Sequence, residues 1–385
     1  MIATGADMIS GRKIVVVDHP SRWSDTPHFC IDALRRQVEK LIVVGTLTEE
    51  QRLKLSMDVQ DRLARLGRMY CPERDPAFLE PRAAAINETL ELHPDAEAVL
   101  VFNPPDAAFL KTNIPIVIFH DATWKQFTST YPGYSENELM ETSYRSGVIA
   151  ERTAFHNARW LLFMSKWAAD GASQEYPLLR DKIRVVYPGA NLPQVPGPSA
   201  VQQSIAGRTI GQCRLLFIGY AFYRKGLDIA LKTVARLRSL GIDAVLQVVG
   251  GEREPVTSGS PARWYGRLSK FVVSEFTSLS RIYLESFILL LPSRAECAGI
   301  VLCEAAAFGM PALVPQTGGM SEIVVNGETG YVLSSGATPD AYASAIARLW
   351  RDPVSYRKLC ENARTRYEEL LNWNETVKHL TQLLN

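Results

Sequence analysis

The stretch Leu289 to Pro315, LLLPSRAECAGIVLCEAAAFGMPALVP, decides how this chain folds. Its opening apolar run stops at Pro292, and a second run, Ala312 to Val314, lies between Pro311 and Pro315. Gly299 to Phe308 between them reads as a helix, so the stretch spells strand, loop, helix, strand. Parallel strands need a crossover of this kind. Glu296 lies on the loop and Glu304 in the first turns of the helix, with seven residues between them, Gly299 among these. If Gly299 opens the helix, the amides of Gly299 and Ile300 face the mouth of the sheet, where they can donate to a phosphate or sugar oxygen. Glu304 is then placed to accept from ribose hydroxyls, and Glu296 to lie beside a sugar. The plainer reading is a solvated loop carboxylate and a helix-surface glutamate.

The same alternation extends both ways. Downstream, Ser321 to Val325 reads as a short helix, Gly330 to Leu333 as a strand, and Pro339 to Arg351 and Pro353 to Leu371 as helices. Upstream come strand Arg214 to Ile218, helix Gly226 to Leu240, strand Ala244 to Val249 closed by Gly250-Gly251, a helical passage Phe271 to Glu285, and strand Ser286 to Leu291. Pro188 to Gln202 carries four prolines and reads as a linker. Before it, strands are expected at Lys13 to Val17, Lys40 to Val44, Ala98 to Phe102, Ile114 to Phe119, Leu161 to Ser165 and Ile183 to Tyr187. Helices are expected at Thr26 to Gln37, Ser56 to Met69, Arg82 to Glu91, Ser135 to Asn157 and Trp167 to Tyr176, with Pro72, Pro76 and Pro81 breaking the chain before the third of them. Val59, Leu63 and Leu66 recur at helical spacing and imply an amphipathic face. The order predicts two α/β domains with largely parallel sheets, whose strand ends can face one crevice.

Three further clusters carry candidate chemistry. Gly219 permits a turn after Phe217-Ile218, and Arg224-Lys225 precede the helix opened by Gly226. Two cations there suit a diphosphate, Lys225 as a point charge and Arg224 as a bidentate donor, although a basic pair before a helix is often surface decoration. Gly318-Gly319 follow a strand and lead to Met320-Ser321-Glu322, so their amides can approach an anion or simply make a tight turn. His120-Asp121 ends the run IPIVIF at a crevice position, where an imidazole can donate to sugar hydroxyls or take up a proton. Trp124, Phe127 and Tyr131 beyond it offer an apolar wall or ordinary core. Asp18, His19, Asp25 and His28 are dense in sequence, but nothing in their spacing specifies a metal site, and none is assigned.

Composition narrows the partners. The chain has 385 residues, enough for two domains, is 46% hydrophobic and 22% charged, and carries 42 Lys and Arg against 41 Asp and Glu. A duplex nucleic-acid partner is not implied, because that needs a basic excess gathered on one face. No apolar run approaches the roughly 20 residues that span a bilayer, and Met1 to Arg12 lacks a signal-peptide h-region. Six cysteines without a CxxC pair read as reduced thiols. A cytoplasmic protein is expected, compatible with peripheral membrane contact.

With these residues in place, the chain resembles the retaining family 4 glycosyltransferases over nearly its whole length, most strongly from Arg214 to Gly330. The resemblance rests on Pro292-Ser293, Glu296-x7-Glu304, Ala305 to Pro311, Gly318-Gly319, Glu322 and Asn326-Gly327-Glu328-Thr329-Gly330. It implies the GT-B fold, two Rossmann-like domains facing each other across a donor/acceptor cleft: residues 1–193 on the acceptor side, 194–364 binding the nucleotide sugar, and 365–385 as a helix crossing back. It implies a UDP-, GDP- or ADP-sugar donor, no metal or other cofactor, and a carbohydrate, lipid-linked or small-molecule acceptor. By the same resemblance Glu296 orients the donor sugar, Glu304 binds ribose, Lys225 contacts the diphosphate, His120 lies near the donor sugar, and Leu268 frames the base. Gly219-Tyr220 stands where the family often has Gly-Arg, leaving Arg224 as the candidate arginine; Cys297-Ala298 replaces the usual Gly-Phe; and Ser24-Asp25-Thr26-Pro27 occupies the place of a glycine-rich acceptor loop. An epimerase or phosphorylase on a related scaffold, or a non-catalytic nucleotide-sugar-binding protein, are the competing readings.

Overall fold

The structure is a computed structural model and describes residues 9–20, 25–251 and 260–384. Ser24, in the segment matched to the family's acceptor loop, lies outside them. The chain divides into two compact units, one running to Tyr187 and resuming at Thr376, the other Pro188–Glu375. The crossings fall after the strand ending at Val185 and within the helix Trp373–Gln382. Trp373 donates from Nε1 to Asn191 Oδ1 at 3.0 Å in the second unit, and Thr376 Oγ1 donates to Tyr187 O at 2.8 Å in the first.

In the first unit, strands β1 (Ile9–Val17), β2 (Val38–Val44), β3 (Ala98–Val101), β4 (Ile116–His120), β5 (Trp160–Phe163) and β6 (Ile183–Val185) form one sheet in the order β2-β1-β3-β4-β5-β6. Every pairing is parallel. Residues 14–17 of β1 and all of β3 are buried, as expected for strands covered on both faces. Helices fill those faces, with Ile86, Leu90, Ala154, Phe155 and Ala172 in the same apolar core. Burying each such Leu, Ile or Phe contributes about 1.5–3 kcal/mol.

In the second unit, β7 (Cys213–Ile218), β8 (Ala244–Val249), β9 (Ala262–Gly266), β10 (Ile288–Leu290), β11 (Ala312–Pro315) and β12 (Gly330–Leu333) follow the order β12-β11-β10-β7-β8-β9, again all parallel. The chain winds outward from β7 to β9, then returns to lay β10 on the other side of β7. Neighbouring crossovers therefore leave from opposite faces at β7 and β10, opening a crevice beyond their carboxyl ends.

Several local expectations change. The second helix begins at Glu49 rather than Ser56, because Thr48 and Gln51 form a reciprocal capping box. None of its side chains is buried, so the Val59, Leu63 and Leu66 spacing marks no core face. Asp58–Arg62 and Asp61–Arg65 pairs support it from solvent. Pro76 starts the helix Pro76–Glu91 instead of breaking the chain, with Asp75 accepting from the Ala77 amide, and Pro81 lies within that helix. The expected linker holds a helix, Pro198–Gly207, again opened by proline. Elements not anticipated include β9 and the helix Trp124–Thr130, which Thr123 caps with Gln126.

Candidate active site

The crevice at β7 and β10 gathers most of the sequence candidates. Beyond β7, Gly219 donates its amide to Val249 O at 3.0 Å, and a Cβ on it would lie 2.9 Å from Lys225 Cγ. Glycine at 219 thus leaves the channel through which Lys225 runs. One short helical turn, Phe222–Lys225, closes on Gly226 at φ 78°, where an added Cβ would meet Pro292 O at 2.1 Å. That contact presses the loop after β7 against the loop after β10, and Arg294 N donates to Arg224 O at 2.7 Å to hold them together.

Lys225 Nζ is ion-paired with Glu296 Oε2, both side chains nearly buried. Arg224 Nη1 donates to Ala295 O at 2.7 Å and reaches the same Glu296 oxygen at 3.3 Å. Arg224 therefore braces the Glu296 loop as well as adding charge to it. Gly318, at φ 54°, passes so close that a Cβ would fall 1.8 Å from Glu296 O, and Gly319 donates its amide to Cys297 O at 2.7 Å. The glycine pair is a close backbone approach that fixes the Glu296 loop; the Gly319 amide, expected to face an anion, is bonded within the protein. Gly299 takes φ 75° and opens helix Ile300–Ala307, which places Ile300 at the first helical position.

Glu304 belongs to a second group. It is buried in a helix otherwise made of apolar residues, accepting from Lys270 Nζ on Oε1 and from the Tyr283 hydroxyl at 2.8 Å on Oε2. Tyr283 lies flat on Phe308, ring centroids 4.6 Å apart, and burial beside Glu304 pushes its hydroxyl pKa well up. Lys270 and Tyr283 were missed in the sequence. A buried carboxylate in an apolar helix demands such donors, but the sequence does not say which residues supply them. Leu268, half-buried, lies two residues before Lys270.

In the first unit, His120 ends β4 and is buried. Its Nδ1 lies 2.9 Å from Ala122 O and 3.4 Å from Ala122 N, and the shorter contact favours the tautomer protonated on Nδ1, with Nε2 as the acceptor nitrogen. Burial, and then the Arg74 guanidinium, lower its pKa to about 3. The ring is thus suited to accept a hydrogen bond from a hydroxyl, and poorly suited to take up a proton. Because the folded-state value lies below the ordinary 6.5, its contribution to stability is present above that pH and is lost as pH falls toward about 3. Nitrogen NMR on labelled protein should show the Nδ1–H tautomer persisting to about pH 5, and a protonation midpoint near 6.5 would refute the assignment. Trp124 is buried in a small cluster with Cys71 and Leu139, and Phe127 and Tyr131 stack in series behind it at 5.6 Å and 4.5 Å. These rings pack on one another, which is the core alternative for that wall. Near β1, the His19 amide donates to Asp18 Oδ1 at 2.9 Å, and His28 pairs with Asp32 at 3.3 Å.

Sequence reading also missed Arg82. Its buried guanidinium donates to Asp106 at 2.9 Å and to the carbonyls of Asp18 and Gly45, tying the ends of β1 and β2 to the turn after β3. A cavity of about 540 Å³ between Leu110 and Lys182 lies at the amino end of β4, opposite His120. No described helix is long and apolar enough to cross a membrane.

Residues 207–366 match the family model described as glycosyl transferases group 1. The chain is 30% identical over 221 residues to D-inositol 3-phosphate glycosyltransferase of Nocardiopsis dassonvillei, covering 54% of this chain and 51% of that protein. It spans about half the length of the inositol-phosphate relatives it matches. Among solved structures it is similar to sucrose-phosphate synthase from Thermosynechococcus elongatus, with TM-score 0.67, 15% identity, and 97% and 98% of the two chains covered. It is also similar to Anabaena Alr3699/HepE in complex with UDP-glucose, with TM-score 0.63, 13% identity, and 97% and 99% covered. At such identities the likeness shows the fold, two Rossmann-like α/β units of the GT-B type. The segment that matches this family model lies inside the second unit.

Proposed function

We propose that this chain transfers a glycosyl group from a UDP-, GDP- or ADP-sugar to an acceptor hydroxyl, with retention at the anomeric carbon and without a metal ion. The observation that carries the reading is the Lys225–Glu296 ion pair, braced by Arg224, at the switch point of the second sheet. A diphosphate entering there meets a cation already positioned for it, and Lys225 then stabilises the charge that develops on the leaving group. The acceptor oxygen bonds to the anomeric carbon as the bond to the phosphate oxygen breaks. The acceptor proton passes to the departing diphosphate. Glu296, relieved of Lys225, orients sugar hydroxyls, and Glu304 takes those of the ribose. His120, with Nε2 as acceptor nitrogen, is assigned to a sugar hydroxyl.

The acceptor is a carbohydrate, a lipid-linked sugar or a small molecule. A cytoplasmic place, peripheral to the membrane for a lipid-linked acceptor, accords with a nucleotide-sugar donor. The test is incubation of purified protein, with and without a chelator, with the three donor classes and a mixed acceptor library, followed by mass analysis. Nucleotide release with a glycosylated product is expected. A nucleotide sugar of altered configuration would instead establish an epimerase, phosphate consumption a phosphorylase, and donor binding without turnover a binding protein.

A further inference from the structure

We propose that Lys270 is the positioning residue that makes Glu304 selective for a ribose diol; this rests on the glycosyl-transfer reading above. Glu304 is fixed by its helix and by one donor on each oxygen, Lys270 on Oε1 and Tyr283 on Oε2. A carboxylate offers about four lone-pair sites, so each oxygen retains one, and neither can turn without losing a donor. Two acceptor oxygens held side by side match two neighbouring hydroxyls.

The two donors play different parts. Tyr283 is fully buried and stacked on Phe308, so it forms the floor. Lys270 is partly exposed and comes from the loop between β9 and helix Val273–Glu285. That loop is itself held, Ser269 N donating to Glu275 Oε2 at 2.6 Å and Phe271 N to Ser269 Oγ at 3.1 Å. Of the three side chains, Lys270 is the most exposed, and Glu304 and Tyr283 are buried. Without it, Oε1 loses its anchor and the carboxylate swings about the Tyr283 bond, so the second hydroxyl no longer finds an acceptor in place.

The test is calorimetric titration of the full chain with UDP, GDP and ADP and with their 2′-deoxy counterparts. For whichever nucleotide binds, the wild-type chain should prefer the ribose form by about tenfold or more, the scale of one hydrogen bond to a charged group. K270M should bring the two forms to within about twofold of each other, the ribose form losing more affinity than the deoxy form. K270R, which keeps the cation, should retain the preference. An unchanged ratio in K270M, equal weakening of both forms in K270M and K270R, or no preference in the wild type would each overturn the proposal while leaving sugar transfer standing. Failure of the wild type to bind any of the three nucleotides would overturn the transfer reading as well.

Discussion

Lys225→Met is expected to lower kcat/KM for nucleotide-sugar turnover by about two to three orders of magnitude, the usual consequence of removing one preorganised group aimed at developing negative charge. The substitution also leaves Glu296 with Arg224 at 3.3 Å as its cationic neighbour, and removing one partner of a largely buried pair destabilises by up to about 3–5 kcal/mol. Turnover could therefore fall because the loop moves. K225M/E296Q isolates the stability part: it removes both charges of the pair, so thermal stability should recover toward wild type, and K225R, which keeps the cation, should retain more turnover than K225M. Steady-state kinetics and thermal unfolding on the four proteins decide the matter. If K225M kept more than about a tenth of wild-type kcat/KM, the assignment of Lys225 to the leaving diphosphate would be wrong.

The second large effect is structural. Gly318→Ala should cost roughly 2–4 kcal/mol, because an added Cβ would fall 1.8 Å from the Glu296 carbonyl oxygen at a residue held at φ 54°. Gly327 supplies the control, since it has φ 78° but nothing within 4 Å of its missing Cβ. G327A should lose only the about 1 kcal/mol of a left-handed alanine. Chemical denaturation of both variants tests the difference. Equal losses would mean that Gly318 is needed for its backbone angle alone. A larger loss in G318A, with weakened turnover in the folded fraction, would show that close backbone approach sets the position of Glu296.

Much of this arrangement was legible in residues. Strands buried on both faces announce themselves as β-branched and leucine runs, and β8 keeps the bounds read from sequence, as does the half-buried edge strand β12. Lys225 and Glu296 were each visible as candidates because each follows a strand whose end is marked, by Gly219 and by Pro292. Their direct pairing was not, since it depends on β10 lying beside β7, a long-range choice that no local pattern encodes. Prolines misled twice: Pro76 and Pro198 read as breakers yet open helices, where a missing amide hydrogen loses nothing. β9 was hidden because its five residues, ARWYG, include no β-branched side chain and end on glycine, although their burial alternates. Missing β9 also hid Lys270, which is located only once the strand before it is known.

The helix Trp373–Gln382 gives the two ends of the polypeptide a shared fate. Its last turns belong with residues from the beginning of the sequence, anchored by Thr376 on the Tyr187 carbonyl. Shortening the protein at its carboxyl terminus would therefore strip packing from the amino-terminal half and leave the second sheet whole.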